Sequence, residues 1–345
     1  MRFVSVIVVL LFLGGGAIYA GLRSFNHFAE IERVFAGQCE PVQGIVGPED
    51  IHIDARRSRA FISSLDRRAG DVRGAIHIFD LDDPLSDSAW RDQTGGEPAA
   101  FEPFGLDYYD DGEVRRLFVV NQANNSVEMF DVSADGSLMH LETFTERRLT
   151  SPNSVVATGR RSFYVTNDVR PGRSSRMGDL HFLTRAASGQ VLYTDGTVWR
   201  VAAEGLRFAN GIDLTPDGAR AYVAETAGGA IQVFERNLET GALAPVDEIK
   251  LDAAPDNLMV DEAGVVWIGA LPKPLTAPRH KMNPDILSPS QVIRIGADGR
   301  PLTVYRDDGE ELSASTTAAR LGRTLLIGAL YDEKFLICRL PADAF

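Results

Sequence analysis

Short apolar runs rich in Val, Ile, Phe and Tyr alternate with polar positions along most of the chain, separated by turns such as "PDG", "ADG" and "EAG". A period of two marks strands with one buried face, and turn chemistry between such runs marks hairpins. Almost no segment has the three-to-four spacing of an amphipathic helix. The runs also recur. "AYVAETAGGAIQVFE", from Ala221, matches "LFVVNQANNSVEMFD", from Leu117, nearly position for position, and each follows a polar corner and an apolar strand.

Extending that template gives units at intervals of roughly 45 to 60 residues. They open at "GPEDI" (Gly47), "PFGLD" (Pro103), "SPNSV" (Ser151), "RFANGIDLTPDG" (Arg207), "APDNLMVD" (Ala254) and "SASTTAARLG" (Ser313). Hairpin-joined strands in repeats of that size predict an all-β chain folded as a six-bladed β-propeller, each blade a four-stranded sheet around a central channel. The propeller domain would occupy residues 38–345.

The N-terminus departs from this pattern. One Arg at position 2 is followed by about twenty uncharged residues up to Arg23, which predicts an N-terminal hydrophobic helix over residues 1–25. Its length suits a bilayer span and favours an uncleaved anchor, while the small residues of "GGGAIYAG" also suit a signal peptidase. Either reading puts the body outside the cytosol, secreted or held at a membrane.

Composition sets further limits. The 345 residues are 44% hydrophobic and 24% charged, an ordinary globular balance. A net charge of −13 argues against nucleic-acid binding, which needs a basic face, and suits a cation site without showing one. The only cysteines, Cys39 and Cys338, lie near the two ends of the body. In an oxidising compartment they can pair and clasp the first and last blades; a shared metal and two free thiols are the alternatives.

In a propeller the innermost strand of each blade starts at the channel mouth, so residues heading those strands converge from distant positions. The heads here are Glu49 and Asp50, Phe104, Asn153, Asn210, Asp256 and Asn257, then Ser315 and Thr316. Alone, Asn210 reads as a turn residue. As one of several oxygen-bearing residues at equivalent positions, it reads as a ligand. Carboxylates and carboxamides without His or Cys suit a hard cation, calcium before magnesium, and Glu49 with Asp256 balance a divalent charge.

Taken with "FYVTND", the final "LLIGA" and the two end cysteines, these motifs resemble those of the serum paraoxonase family of calcium-dependent lactonases and arylesterases, within the gluconolactonase-type six-bladed propellers. The resemblance covers nearly the whole chain. It implies a catalytic calcium held by Glu49, Asn153, Asn210, Asp256 and Asn257, the set that the repeat selects. It also implies a second, structural calcium on Asp50, the carbonyl of Leu106 and a carboxylate after the third-blade Asn, where this chain has Ser154. The family's pocket histidines would fall on Phe104, Gln122, Val169 and Leu271. None of the six histidines fills these gaps, and His181 alone lies near the expected mouth.

The expected function is therefore hydrolysis of lactones or aryl esters, with calcium polarising the carbonyl for attack by water. The proton would go to a carboxylate, Asp168 in "TNDV" first or Glu49. The insertion "VRPGRSSRMGDLHFLTRAASGQ", with Arg170, Arg173, Arg176 and Arg185, reads as a lid or as a solvated loop. Two other readings stand beside this one: a calcium-stabilised propeller that serves as a binding module, and strictosidine-synthase-like condensation chemistry.

Overall fold

The computed structural model describes residues 15, 16, 19–70, 72–84, 86, 89–96, 98–173 and 175–342. Six four-stranded antiparallel sheets account for the body, and their innermost strands contact one another in a closed ring around a channel. The innermost strands are Pro48–Asp54, Pro103–Asp110, Pro152–Ala157, Ala209–Leu214, Ala254–Val260 and Ser315–Leu321, which head blades one to six. The blade openings thus fall where the repeat places them.

Alternation along each strand sends one set of side chains into the gap between neighbouring blades. The result is an apolar cluster in every gap, with a second, smaller one between blades five and six at the cavity end. Phe61 and Leu117 meet between blades one and two, Phe118 and Phe163 between two and three, and Tyr164 and Val223 between three and four. Ile231 and Ile268 join blades four and five, Trp267 and Leu325 join five and six, and Ile62 and Leu326 close the ring.

Closure uses the chain ends. Gln38–Gln43 is the outermost strand of blade six, antiparallel to Lys334–Arg339, and Cys39 lies directly opposite Cys338 in that register. The two form a disulfide, which settles the choice among the three readings of these cysteines. A chain-entropy argument puts the stabilisation from closing so long a loop at roughly 5 kcal/mol as an upper bound.

Three insertions rise above the same end of the ring, after the second strands of blades one, three and five. That of blade three holds a helix, Arg176–Thr184, whose cap Ser175 accepts from the Gly178 amide; that of blade five holds Ala277–Met282. The apolar pattern did not reveal the first helix, because Met177, Leu180 and Leu183 sit exposed and no buried stripe forms.

Residues 19–24 are helical, and the turn after them docks on the blade-three insertion. Phe25 stacks on Phe182 with 5.7 Å between ring centroids, and Arg185 donates to the Ser24 carbonyl at 2.5 Å. Most of the predicted 1–25 anchor or signal segment lies outside the described residues. Among those described, no helix is long and apolar enough to cross a membrane.

Candidate metal centre and substrate cavity

Each innermost strand begins with the same irregularity. The register slips between Pro48 and Asp50, Pro103 and Leu106, Pro152 and Val155, Ala209 and Ile212, Pro255 and Leu258, and Ser315 and Thr317. A bulge re-aims the side chain it carries, so Glu49, Phe104, Asn153, Asn210, Asp256 and Thr316 occupy equivalent places at the head of the channel. Close approach between blades keeps them together. A Cβ on Gly211 would lie 2.7 Å from the Asn257 Cα, so blades four and five meet there because residue 211 has none.

The carboxamide nitrogens are held by the protein where bonds are resolved. Asn210 Nδ2 donates to Thr226 Oγ1 at 3.0 Å, and Thr226 passes its own proton to the Pro255 carbonyl at 2.7 Å. Asn257 Nδ2 donates to Glu49 Oε1 at 2.8 Å. The oxygens are left over. Glu49 Oε2, Asn153 Oδ1, Asn210 Oδ1 and Asn257 Oδ1 are all buried without a hydrogen-bond partner. Buried polar atoms are nearly always satisfied, so four unpartnered oxygens from four blades at one end of the channel form a set that could hold a hard cation.

The electrostatics agree. Burial, followed by the neighbouring Asp50 carboxylate, raises the Glu49 pKa well above the usual range, and Asp256 adds to the effect. Burial likewise pushes Asp256 up to about 7. Arg67 offsets part of the Glu49 charge and Arg173 part of the Asp256 charge, yet both carboxyls stay shifted upward, so a further cation beside them would be favourable. No cluster of three or more His, Cys, Asp and Glu in metal-binding geometry occurs among the described residues, so the set depends on its carboxamides.

The residues of the second implied site fit an ion poorly. Asp50 Oδ2 accepts from the Leu106 amide at 2.9 Å, and Oδ1 accepts from the Ile51 amide at 2.9 Å and from Thr317 Oγ1 at 3.0 Å. Asp50 therefore already accepts three hydrogen bonds from the protein, two on Oδ1 and one on Oδ2, and Leu106 turns its N–H rather than its carbonyl to it. Ser154 exchanges hydrogen bonds with Thr166. Deeper in the channel His52, a strand residue, pairs with Asp107 at 2.9 Å.

Above the ring lies a cavity of about 780 Å3, walled by the three insertions and lined by Asn153, Asn210 and Asp256 among others. Phe104, Gln122, Val169 and Leu271, the positions matched to family histidines, all line it. Asp168 lies behind this wall, fully buried. Its Oδ2 accepts from Arg173 Nε at 2.5 Å and Ser151 Oγ at 3.2 Å, while its Oδ1 has no partner. Burial raises its pKa against the pull of Arg173.

The blade-three insertion does cover the mouth, since Arg173, Gly178, Asp179, Phe182 and Leu183 line the cavity. His181 turns away to Ser188 at 2.7 Å. Arg170 pairs with Glu204, and Arg185 sits on Phe25, so of these arginines only Arg173 reaches the site. Sequence reasoning missed Arg67 and Tyr331, which also line the cavity; the paired arginines of "LDRRAG" were the available signal for the first.

This architecture is that of the gluconolactonase-like propellers. The fold is similar to a gluconolactonase from Xanthomonas campestris, with a TM-score of 0.60 and 18% identity over 90% of this chain and 91% of that one. It is also similar to the calcium-binding protein regucalcin from Agrobacterium tumefaciens, with a TM-score of 0.54 and 15% identity over 89% and 96%.

Sequence carries the assignment further: the chain belongs to the Arylesterase family, whose profile matches residues 30–340. It is 33% identical over 345 residues to serum paraoxonase/arylesterase 2 of Gallus gallus, covering 95% of this chain and 96% of the relative. It is 32% identical over 359 residues to serum paraoxonase/arylesterase 1 of Homo sapiens, covering 97% and 99%.

Proposed function

We propose that the protein is a carboxylic-ester hydrolase that opens lactones and cleaves aryl esters with the help of one calcium ion. The observation that carries this reading is the set of four buried, unpartnered oxygens from Glu49, Asn153, Asn210 and Asn257, beside the Asp256 carboxylate that lines the cavity. These five residues would hold the ion. Bound there, calcium supplies a Lewis acid for the substrate carbonyl oxygen.

The chain's own groups do the rest. Thr226 fixes the Asn210 amide, and Asn257 fixes Glu49, so the oxygens are set before substrate arrives and little reorganisation is needed. The apolar wall of Phe104, Val169 and Leu271 receives the ring or acyl group and limits water. Asp168 is the candidate acceptor for the proton of the attacking water: its Oδ1 is unpartnered and Arg173 and Ser151 fix the other oxygen, and since it sits behind the cavity wall the transfer needs a bridging water. Glu49 is the second candidate and ranks behind Asp168, because its one unpartnered oxygen, Oε2, is also the atom offered to the ion.

The body, residues 38–345, works outside the cytosol, where the Cys39–Cys338 bond persists, and residues 1–25 deliver it there or hold it at a membrane. Purified protein assayed on a panel of lactones and aryl esters, with and without chelator, tests the reading. Calcium-dependent hydrolysis supports it. A melting temperature that falls on chelation with no hydrolysis of any panel member would instead make the protein a calcium-stabilised binding module.

A further inference from the structure

Beside the oxygen ring the cavity holds donors with nothing to donate to. Arg67, just past the second strand of blade one, is anchored by main-chain carbonyls: Nη1 donates to Gly47 at 3.1 Å and Leu65 at 3.3 Å, and Nη2 to Pro103 at 3.2 Å. A guanidinium has five N–H donors, so two remain. No carboxylate hydrogen-bonds to it among the described residues. Its guanidinium carbon lies 4.7 Å from the centre of the Phe104 ring, on which Arg173 also packs at 4.6 Å.

Tyr331 completes the arrangement. Arg68 packs on its ring at 5.4 Å and donates to its carbonyl at 2.5 Å, which fixes the ring in place. The Tyr331 hydroxyl has no hydrogen-bond partner among the described residues and lies within electrostatic reach of Arg67, Arg173 and Asp256. Arg67, Arg173 and Tyr331 all line the cavity together with Asn153, Asn210 and Asp256.

A charge balance singles out Arg67. Asp168 neutralises Arg173, and Glu49 with Asp256 match one divalent cation. The other cavity carboxylates do not take up the Arg67 charge: Asp66 accepts from the Arg68 and Ala69 amides, Asp179 is exposed, and Glu102 makes no ion pair among the described residues. Arg67 is half-buried and feels the Glu49 and Asp256 charges without hydrogen-bonding to either, so once an ion engages those two carboxylates its unspent donors are best met by an anion.

We propose that Arg67 and Tyr331 form an anion subsite next to the oxygen ring, and that the substrate is a lactone or ester bearing a carboxylate close to its scissile carbonyl. The fork of Arg67 suits a carboxylate, and the Tyr331 hydroxyl adds a third donor. The proposal rests on the hydrolase reading above and narrows its substrate class.

Calcium-loaded protein should be compared on two matched probes, γ-butyrolactone-γ-carboxylate and its neutral γ-carboxamide. Wild type is expected to favour the carboxylate about tenfold or more in kcat/KM, as charge-assisted hydrogen bonds allow. Arg67→Met should bring that ratio close to one, with the loss in KM for the carboxylate probe; Arg67→Lys should retain part of it, and Tyr331→Phe should lower it less. A wild-type ratio of one or below, or an equal fall on both probes in Arg67→Met, would overturn the proposal.

Where neither probe is opened, the hydrolase reading fails, and calorimetric binding of α-hydroxyglutarate judges the subsite separately. Tighter binding to wild type than to Arg67→Met supports it, and equal affinity overturns it. Circular dichroism establishes that each variant is folded; should Arg67→Met not fold, Arg67→Lys and Tyr331→Phe carry the same comparison.

Discussion

Asn257 donates from Nδ2 to Glu49 Oε1 at 2.8 Å across 208 residues of sequence, joining blade five to blade one at the head of the channel. The same nitrogen reaches the Glu49 carbonyl at 3.3 Å, and Thr316 Oγ1 donates to that carbonyl at 2.7 Å. Glu49 is thus held from two blades, with only Oε2 left free. A liganding group fixed in this way binds an ion without first losing side-chain freedom.

Removing one oxygen should break the centre. Asn210→Ala deletes an orphan oxygen and also strips Thr226 of a donor. Lactone hydrolysis should fall by about a hundredfold or more, the scale seen when one preorganised stabilising group is lost. Calcium affinity, measured with a competing fluorescent chelator, should fall with it. An unchanged affinity would remove Asn210 from the ligand set.

The pH dependence of the metal-free protein carries a definite sign. Burial holds Asp256 up to about 7 and Asp50 up to about 6, and raises Glu49 as well. From about pH 4 to 7 the folded state therefore binds more protons than the unfolded chain, and stability falls as pH rises. Burial opposes charge on His52, yet Asp107 holds its pKa up to about 9, so its stabilisation, complete below the ordinary imidazole value, is also lost as pH rises from there through about 9. Thermal melts of chelated protein should give a higher Tm at about pH 5 than at about pH 8. Calcium, which takes the place of those protons, should remove most of the difference.

Metal stoichiometry addresses the second implied site. With three protein hydrogen bonds already on Asp50, the Leu106 amide rather than its carbonyl facing it, and a serine at 154, the set for another ion is short of oxygens. Elemental analysis after dialysis against calcium should return about one ion per chain. Two tightly held ions would contradict the assignment.

The clasp can be tested through stability. Replacing both Cys39 and Cys338 by Ser should lower Tm clearly while leaving the lactone KM little changed, since the bond lies on the outer edge of blade six, on strands that do not line the cavity. The loss is bounded at roughly 5 kcal/mol by loop closure. Differential scanning calorimetry of the double variant under non-reducing conditions measures it.

Much of this was legible before any coordinates. Period-two alternation and the near-identity of the Leu117 and Ala221 runs located the blades, because each blade is a local unit whose strands are sequential neighbours. The same repeat placed Glu49, Asn153, Asn210 and Asp256 at equivalent heads, and the structure brings them to one end of the channel. What the pattern did not contain was anything set by loops. Arg67 and Tyr331 face the cavity from turns outside the alternation, and the Arg176–Thr184 helix leaves Met177, Leu180 and Leu183 exposed, so it carries no buried stripe. Nor does sequence spacing show which atoms of Asp50 remain free; that depends on bonds from Leu106 and Thr317, which come from other blades.

The most direct test of the central claim is a calcium titration of metal-stripped protein with lactone opening and ion binding recorded together. Stripped protein should be inactive, and hydrolysis should return in step with one bound calcium per chain in wild type but not in Asn210→Ala. Full hydrolysis by the stripped protein would contradict the account.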